Sequence, residues 1–339
     1  MVVSLDLISV CQTFRFYVHS ARNSCMKQRF QYLPYRRGFR RPLTTAHGVW
    51  RYREGIIIRV EKEDSQAGFG EIAPLPSFGT ETMEDALSWC KEQAVDGLGL
   101  KAIPSSLPCC QWAVSSAFAE EPARRRFPVA ALVDSLDTLV GKQDVGYQSF
   151  KIKIGVQEFS KEALQIEDYF QQLVPGQCMR LDANGGLSES DFSAWLEFLE
   201  GQPVEYLEQP LAPGLENRML EMAEPFSTSI ALDESIAGMQ SLLEWKDWPG
   251  PLVVKPGLLG NVAGVVPERI VGSSVFETSF GLEAGLQFLA RYQKLDTAIG
   301  FDTISYFDED GWNLHDPGPF IKAGEILREN LQALWEEKQ

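Results

Sequence analysis

Apolar and polar positions alternate with a strand period through residues 28–60, ending in the run Gly55-Ile56-Ile57-Ile58-Arg59-Val60. After a turn comes Gly68-Phe69-Gly70-Glu71-Ile72-Ala73-Pro74-Leu75-Pro76, and helical spacing takes over from Thr82 to about Val95 and from Gln111 to Ala119. This predicts a small α+β lobe. From Phe127 the pattern changes: short apolar strands alternate with amphipathic segments such as Lys161 to Leu173, Glu189 to Leu199 and Gly281 to Tyr292. A polar residue lies at or near each strand's C-terminal end: Asp134, Lys153, Asp182, Glu208, Asp233, Lys255, Glu277 and Asp302, about 24 residues apart on average. Eight such repeats predict a (β/α)8-type parallel barrel behind an α+β capping domain. A doubly wound open sheet shares the alternation, but no Gly-rich phosphate turn follows the first strand, so it ranks second.

The predicted division is an extension over residues 1–25, a capping domain over 26–126, a barrel over 127–310, and a C-terminal segment over 311–339 that completes the cap. The first 25 residues have weak periodicity and lack the basic start and apolar core of a secretory signal. An early start codon or short extension is favoured over a targeting role.

Charge and composition narrow the function. With 31 Lys plus Arg against 47 Asp plus Glu in 339 residues, the net charge is −16, which argues against nucleic acid or an anionic membrane as partner. Arginines interleaved with aromatics in Tyr35-Arg36-Arg37-Gly38-Phe39-Arg40-Arg41 resemble a nucleic-acid patch. In so acidic a chain they are better read as an edge strand and loop offering cations to a small anion. No apolar run reaches the ~18 residues of a membrane helix. Six cysteines without a C-x-x-C pair fit thiols of a cytoplasmic protein, and three scattered histidines make a histidine-rich zinc site improbable. Any metal must be held by carboxylates. The sequence sets no oligomeric state.

Three consecutive strands end in a carboxylate: Asp182, Glu208 and Asp233. Any one alone reads equally well as a helix cap or ion-pair partner. Together, on parallel strands ~4.8 Å apart, they would repel unless a cation sat between them. A hard, oxygen-seeking dication such as Mg²⁺ meets that need, with Mn²⁺ as an alternative. Lys151 and Lys153 share one face of the preceding strand, and Lys255 closes the other flank. Crowded ammonium groups near a dication are expected to have depressed pKa values, which suits a lysine to remove a carbon-bound proton.

This order of Lys-x-Lys, three acids and Lys resembles the muconate-lactonising branch of the enolase superfamily over residues 28–325. The resemblance implies the modified (β/α)7β barrel with its capping domain. The mandelate-racemase branch would place a histidine late in the barrel, whereas His315 lies beyond the last strand. Within the lysine branch, four segments are similar to the o-succinylbenzoate synthase family: Tyr35 to Gly48, Gly70 to Gly79, Arg180 to Asn184 and Ser273 to Ser279. That resemblance implies Mg²⁺-dependent syn-dehydration of 2-succinyl-6-hydroxy-2,4-cyclohexadiene-1-carboxylate, a step of menaquinone or phylloquinone synthesis. It assigns Lys153 as base and then acid, Lys255 as the cation on the opposite face, and Lys151 as the group that tunes Lys153. Asp182, Glu208 and Asp233 would hold the metal, backed by Asn184 and Glu234. Arg180, Ser273, Gly300, Thr45, His47 and Phe78 would shape the substrate pocket. N-acylamino-acid racemisation and dipeptide epimerisation use the same constellation, although dipeptide epimerases carry Asp-x-Asp at the eighth strand, where this chain has only Asp302. A non-enzymatic scaffold would be expected to have lost a metal ligand or base, and none is missing.

Overall fold

The computed structural model describes residues 28–45, 48–61, 66–97, 103–119, 123–262 and 266–339. The extension expected over residues 1–25 lies outside them. Strands β1 (Phe30–Thr45) and β2 (Gly48–Glu61) form a long antiparallel hairpin, and β3 (Ala67–Ile72) pairs with β2. The unbroken apolar run in β2 reflects a sheet covered on both faces. Ile56, Ile58 and Val60 pack towards α1 (Met83–Asp96) and α2 (Pro108–Ala117), while Ile57 packs on the other side with Phe69, Leu334 and Trp335. Gly68 and Gly70 allow α2 to lie directly on β3, since a Cβ there would stand 1.9 Å from the Ala117 carbonyl oxygen or 2.0 Å from that of Ala113. Helix α2 begins three residues before the expected Gln111. Pro108 tolerates the first turn, and the Glu81 carboxylate accepts the amides of Cys109 (3.1 Å) and Cys110 (2.9 Å).

The chain then passes through β4 (Arg125–Pro128) into a repeating unit: β5 (Ala130–Leu132), α3 (Leu136–Val145), β6 (Ser149–Lys153), α4 (Phe159–Gln172), β7 (Cys178–Asp182), α5 (Glu189–Leu199), β8 (Val204–Glu208), α6 (Glu216–Ala223), β9 (Ile230–Ala231), α7 (Met239–Glu244), β10 (Leu252–Val254), β11 (Ile270–Gly272) and α8 (Ser279–Tyr292). Strands β5 to β9 form one parallel sheet in sequence order and β10 with β11 another. Parallel bridges Leu232 to Leu252, Ser273 to Gly300 and Val129 to Ile299 close the circle. The eighth position is thus a short stretch around Gly300, followed by a 3-10 turn at Ile304–Tyr306 rather than an α-helix, which gives a (β/α)7β barrel.

Two expectations need correction. The segment over 311–339 does not belong wholly to the cap: β12 (Phe320–Ala323) pairs with β4 at the start of the barrel, and only α9 (Arg328–Lys338) covers the lobe's sheet. Glu277 does not end a strand, because β11 stops at Gly272 and Glu277 lies in the loop beyond.

On the outer face of the barrel strands, Phe150, Met179, Leu181 and Leu207 join Phe192, Trp195 and Leu196 of α5 in one core. The opposite face carries polar groups. Arg180, 1% exposed, donates from Nε to Glu205 (2.7 Å) and from Nη2 to Thr297 Oγ1 (2.9 Å) and the Ala298 carbonyl (2.8 Å). Burial alone would raise the Glu205 carboxyl, but Arg180 and the hydrogen bonds it receives hold it below its ordinary value. A depressed carboxyl stabilises the fold fully above its unfolded pKa, roughly 4.3, and loses that contribution as pH falls through the lower folded value. Glu205→Gln is therefore expected to cost about 3 kcal/mol in urea unfolding at pH 7 by stranding Arg180. The deficit should shrink below roughly pH 4; a loss independent of pH would show that the pair is not its source.

Candidate active site

Register brings the acids together. In the parallel sheet Lys153 stands opposite Asp182, Asp182 opposite Glu208, and Glu208 opposite Ala231, two residues before Asp233. All three carboxylates are buried: Asp182 is 6%, Glu208 1% and Asp233 5% exposed. Lys151 Nζ lies 2.7 Å from Asp182 Oδ2 and 2.7 Å from Glu208 Oε1, and Lys255 Nζ donates to Asp233 Oδ1. Lys153, exposed at the strand end, has no ion pair or hydrogen bond from its ammonium group among the described residues.

The electrostatics show a site rich in negative charge. Burial, reinforced by Asp182 and Asp233 against the opposing pull of Lys151, pushes the Glu208 carboxyl well above the usual carboxylate range. Glu234 is likewise pushed up to about 7 by burial, Asp233 and Asp182. The depression expected of Lys151 presupposes a dication that offsets the acids. Burial pulls its pKa down, but Asp182, Glu208 and Asp233 outweigh that and raise it well above the ordinary lysine value. Proximity of a second ammonium group counts for less than three carboxylates at the same mouth.

The residues fit a dication. Asp182, Glu208, Asp233 and Glu234 outnumber the two paired ammonium groups, and all the donors are hard oxygens. Glu234 Oε2 is buried without a hydrogen-bond partner, while its Oε1 accepts from Asn184 Nδ2 at 3.2 Å. Among the described residues no three His, Cys, Asp or Glu side chains already stand at coordinating geometry; Lys151 and Lys255 act as counter-ions instead. Asn184, in the left-handed region at φ 46°, also donates its backbone amide to Asp182 Oδ1 at 3.0 Å, so it links Asp182 to Glu234.

The predicted pocket residues divide. Ser273 and Gly300 are bridged neighbours on the last two strands, both half-buried. Phe78, from a 3-10 turn of the cap, covers Lys255, whose Nζ lies 4.4 Å from the ring centroid. Arg180 is corrected: it lies two residues before Asp182, and its guanidinium is committed to Glu205, Thr297 and Ala298 at the strands' starting ends. The side chain of Thr45 and all of His47 lie outside the described residues. In the arginine cluster, Arg37 does not face a ligand. It is buried, pairs with Asp310 at 2.8 Å and lies 3.7 Å from the Phe307 centroid.

Several supporting residues were not singled out from sequence. Gln209 is fully buried and accepts the amides of Asp233 (2.9 Å) and Ser235 (3.2 Å), fixing the strand end that carries Asp233. Glu71 accepts from Tyr35 Oη (2.6 Å), Thr278 N (3.1 Å) and Gly281 N (2.9 Å), joining the cap to the start of α8. Arg53 donates to the Val275 (2.8 Å) and Ala73 (2.6 Å) carbonyls. The sequence signal for Glu71 is a charge within an otherwise apolar strand, which marks burial without naming the partner, whereas Arg53 stands between Arg51 and Glu54 and carries no such signal. Phe276, at φ 65°, sits in the loop that both side chains hold.

Comparison with known proteins agrees with this architecture. The family model "MenC, N-terminal domain" matches residues 32–121, and "Enolase C-terminal domain-like" matches residues 134–248. The o-succinylbenzoate synthase of Thermosynechococcus vestitus is 34% identical over 296 residues, covering 80% of this chain and 92% of that protein. A crystal structure of o-succinylbenzoate synthase from Thermosynechococcus elongatus, with Mg in its active site, superposes with a TM-score of 0.74 at 32% identity, covering 91% of this chain and 99% of that one. The L-Ala-D/L-Glu epimerase of Bacillus subtilis shares the fold, with a TM-score of 0.74 at 18% identity over 88% of this chain and 96% of that one. With its capping domain, its barrel and a relative matched across nearly its whole length, the chain belongs to the o-succinylbenzoate synthase family of the enolase superfamily.

Proposed function

We propose that this chain catalyses Mg²⁺-dependent syn-dehydration of 2-succinyl-6-hydroxy-2,4-cyclohexadiene-1-carboxylate to o-succinylbenzoate, as a step towards menaquinone or phylloquinone. Asp182, Glu208 and Asp233 would hold the metal. When bound, Mg²⁺ supplies a Lewis acid that draws charge from the substrate carboxylate and lowers the cost of the enediolate. Mn²⁺, with the same taste for oxygen donors, is expected to substitute. Free thiols at Cys90, Cys109 and Cys110 fit a cytoplasmic setting.

The observation that carries this reading is the unequal state of the three lysines. Lys151 and Lys255 are committed to carboxylates, whereas Lys153, across the register from Asp182, keeps its amine free of described partners. Lys153 takes the proton α to the carboxylate and returns it to the departing hydroxide on the same face. Lys255, on the far flank and covered by the Phe78 ring, stabilises the negative charge that develops and the forming arene. Ser273 and Gly300 border the space for the succinyl end.

Racemisation of N-acylamino acids is a second reading, favoured by lysines on both flanks of the acids. Dipeptide epimerisation is less well supported. Asp302 is held by Lys142 Nζ (2.5 Å), Tyr147 Oη (3.1 Å) and the Leu132 amide (3.0 Å), so it is not free to receive a peptide's ammonium group.

Purified protein with Mg²⁺ is expected to convert the cyclohexadiene acid. Inertness towards it together with racemisation of N-succinyl amino acids would reject the dehydratase reading. Lys153→Ala should lower kcat about 10³-fold with an unchanged circular-dichroism spectrum, and retention of a large part of the activity would remove Lys153 as the base. Chelation should abolish turnover and added Mg²⁺ restore it. Glu208→Gln should raise the Mg²⁺ needed for half-maximal activity by more than about tenfold; an unchanged requirement would remove Glu208 from the metal site.

A further inference from the structure

We propose that Glu162 is a positioning residue for Lys153. Its carboxylate pins the turn that leaves β6 and so sets where the Lys153 amine stands. This rests on the reading of Lys153 as the base. The sheet's last rung beside Lys153 is the Ile154 amide donating to the Asp182 carbonyl at 2.8 Å. Past it the chain turns away, and three successive amides need acceptors that the sheet does not provide. Glu162, in the first turn of α4, reaches back to supply them. Its Oε2 accepts from Gly155 N at 2.7 Å, and its Oε1 from Val156 N and Gln157 N, each at 2.8 Å. The residue is only 5% exposed, so water does little to replace these bonds.

Gly155 tightens the constraint. It stands at φ 74°, where side chains are strained, and a Cβ there would come within 2.9 Å of Leu187 Cδ2. The turn is fixed from both sides, by the carboxylate of α4 and by the loop after β7. This matters more for Lys153 than for its neighbours. Carboxylates hold the ends of Lys151 and Lys255, whereas the Lys153 side chain has no such anchor among the described residues, so its backbone is what locates it.

The chemistry of the carboxylate makes the test specific. All three partners are donors, and Glu162 answers with two acceptor oxygens. In Glu162→Gln the size is kept, but the amide nitrogen must face either Gly155 N–H or the Val156 and Gln157 pair, donor against donor. The expected result in the full-length enzyme is a fall in kcat of about 10²-fold, with KM and the Mg²⁺ requirement within about twofold of wild type. The primary isotope effect, with deuterium at the carbon that loses its proton, should rise, because a misplaced base makes proton transfer slower relative to other steps. Gly155→Ala disturbs the same turn without touching the carboxylate and should show the same pattern if Glu162→Gln folds poorly. A kcat that falls only in proportion to folded protein, with an unchanged isotope effect in both variants, would overturn the proposal. If Lys153→Ala is inactive while both variants keep wild-type kcat and isotope effect, the base assignment stands and this inference alone fails. High activity in Lys153→Ala removes both.

Discussion

Like-charge crowding at the barrel mouth is the constraint from which the rest of the structure follows. Asp182, Glu208 and Asp233 are placed side by side because parallel strands in register have no freedom to separate them. Burial then removes the water that would soften their repulsion. The cluster holds together only with cations at hand, and Lys151 and Lys255 fill that role in the structure described here. Of the three lysines at the mouth, their commitment leaves Lys153 without an ion pair or hydrogen bond among the described residues. On the proposed reading, the same excess of carboxylate that would attract a dication also leaves one ammonium group unpaired for proton transfer.

Holding such a cluster requires backbone that cannot relax away from it. Around the mouth, buried polar side chains serve as fixed acceptors for backbone amides: Gln209 for the strand end bearing Asp233, Glu162 for the turn after Lys153, and Glu71 for the start of α8. Each would be costly to bury alone and is stable because its lone pairs are filled by N–H groups. Arg53 works in the opposite sense, donating to the Val275 carbonyl in the loop after β11 and to the Ala73 carbonyl of the lobe. Glu71 and Arg53 both start from the capping sheet, so the lobe and the barrel are joined where the substrate pocket is expected, by directional bonds as well as by apolar contact.

Much of this was legible in the chain. The three acids stood out because each ends an apolar string, and a strand's period fixed Lys151 and Lys153 to one face. Depth along the barrel was not legible. Arg180 shares its strand with Asp182, and nothing in one strand's sequence reveals that its guanidinium is taken up by Glu205 and Thr297. Glu277 misled because the apolar run continues through Val275 and Phe276 after β11 has ended. For Lys151, periodicity gives the neighbour on the same strand, while the three acids across the sheet that raise its pKa come from register. Glu162 escaped notice because a glutamate in the first turn of a helix ordinarily faces water.

The central claim is that three carboxylates gather one metal and set two lysines on opposite faces of a substrate bound to it. A crystal structure with Mg²⁺ and o-succinylbenzoate tests this directly. The account predicts one Mg²⁺ with oxygens of Asp182, Glu208 and Asp233 at about 2.1 Å, and the amines of Lys153 and Lys255 on opposite sides of the ring. A metal held elsewhere, or both amines on one side of the ring, would contradict it.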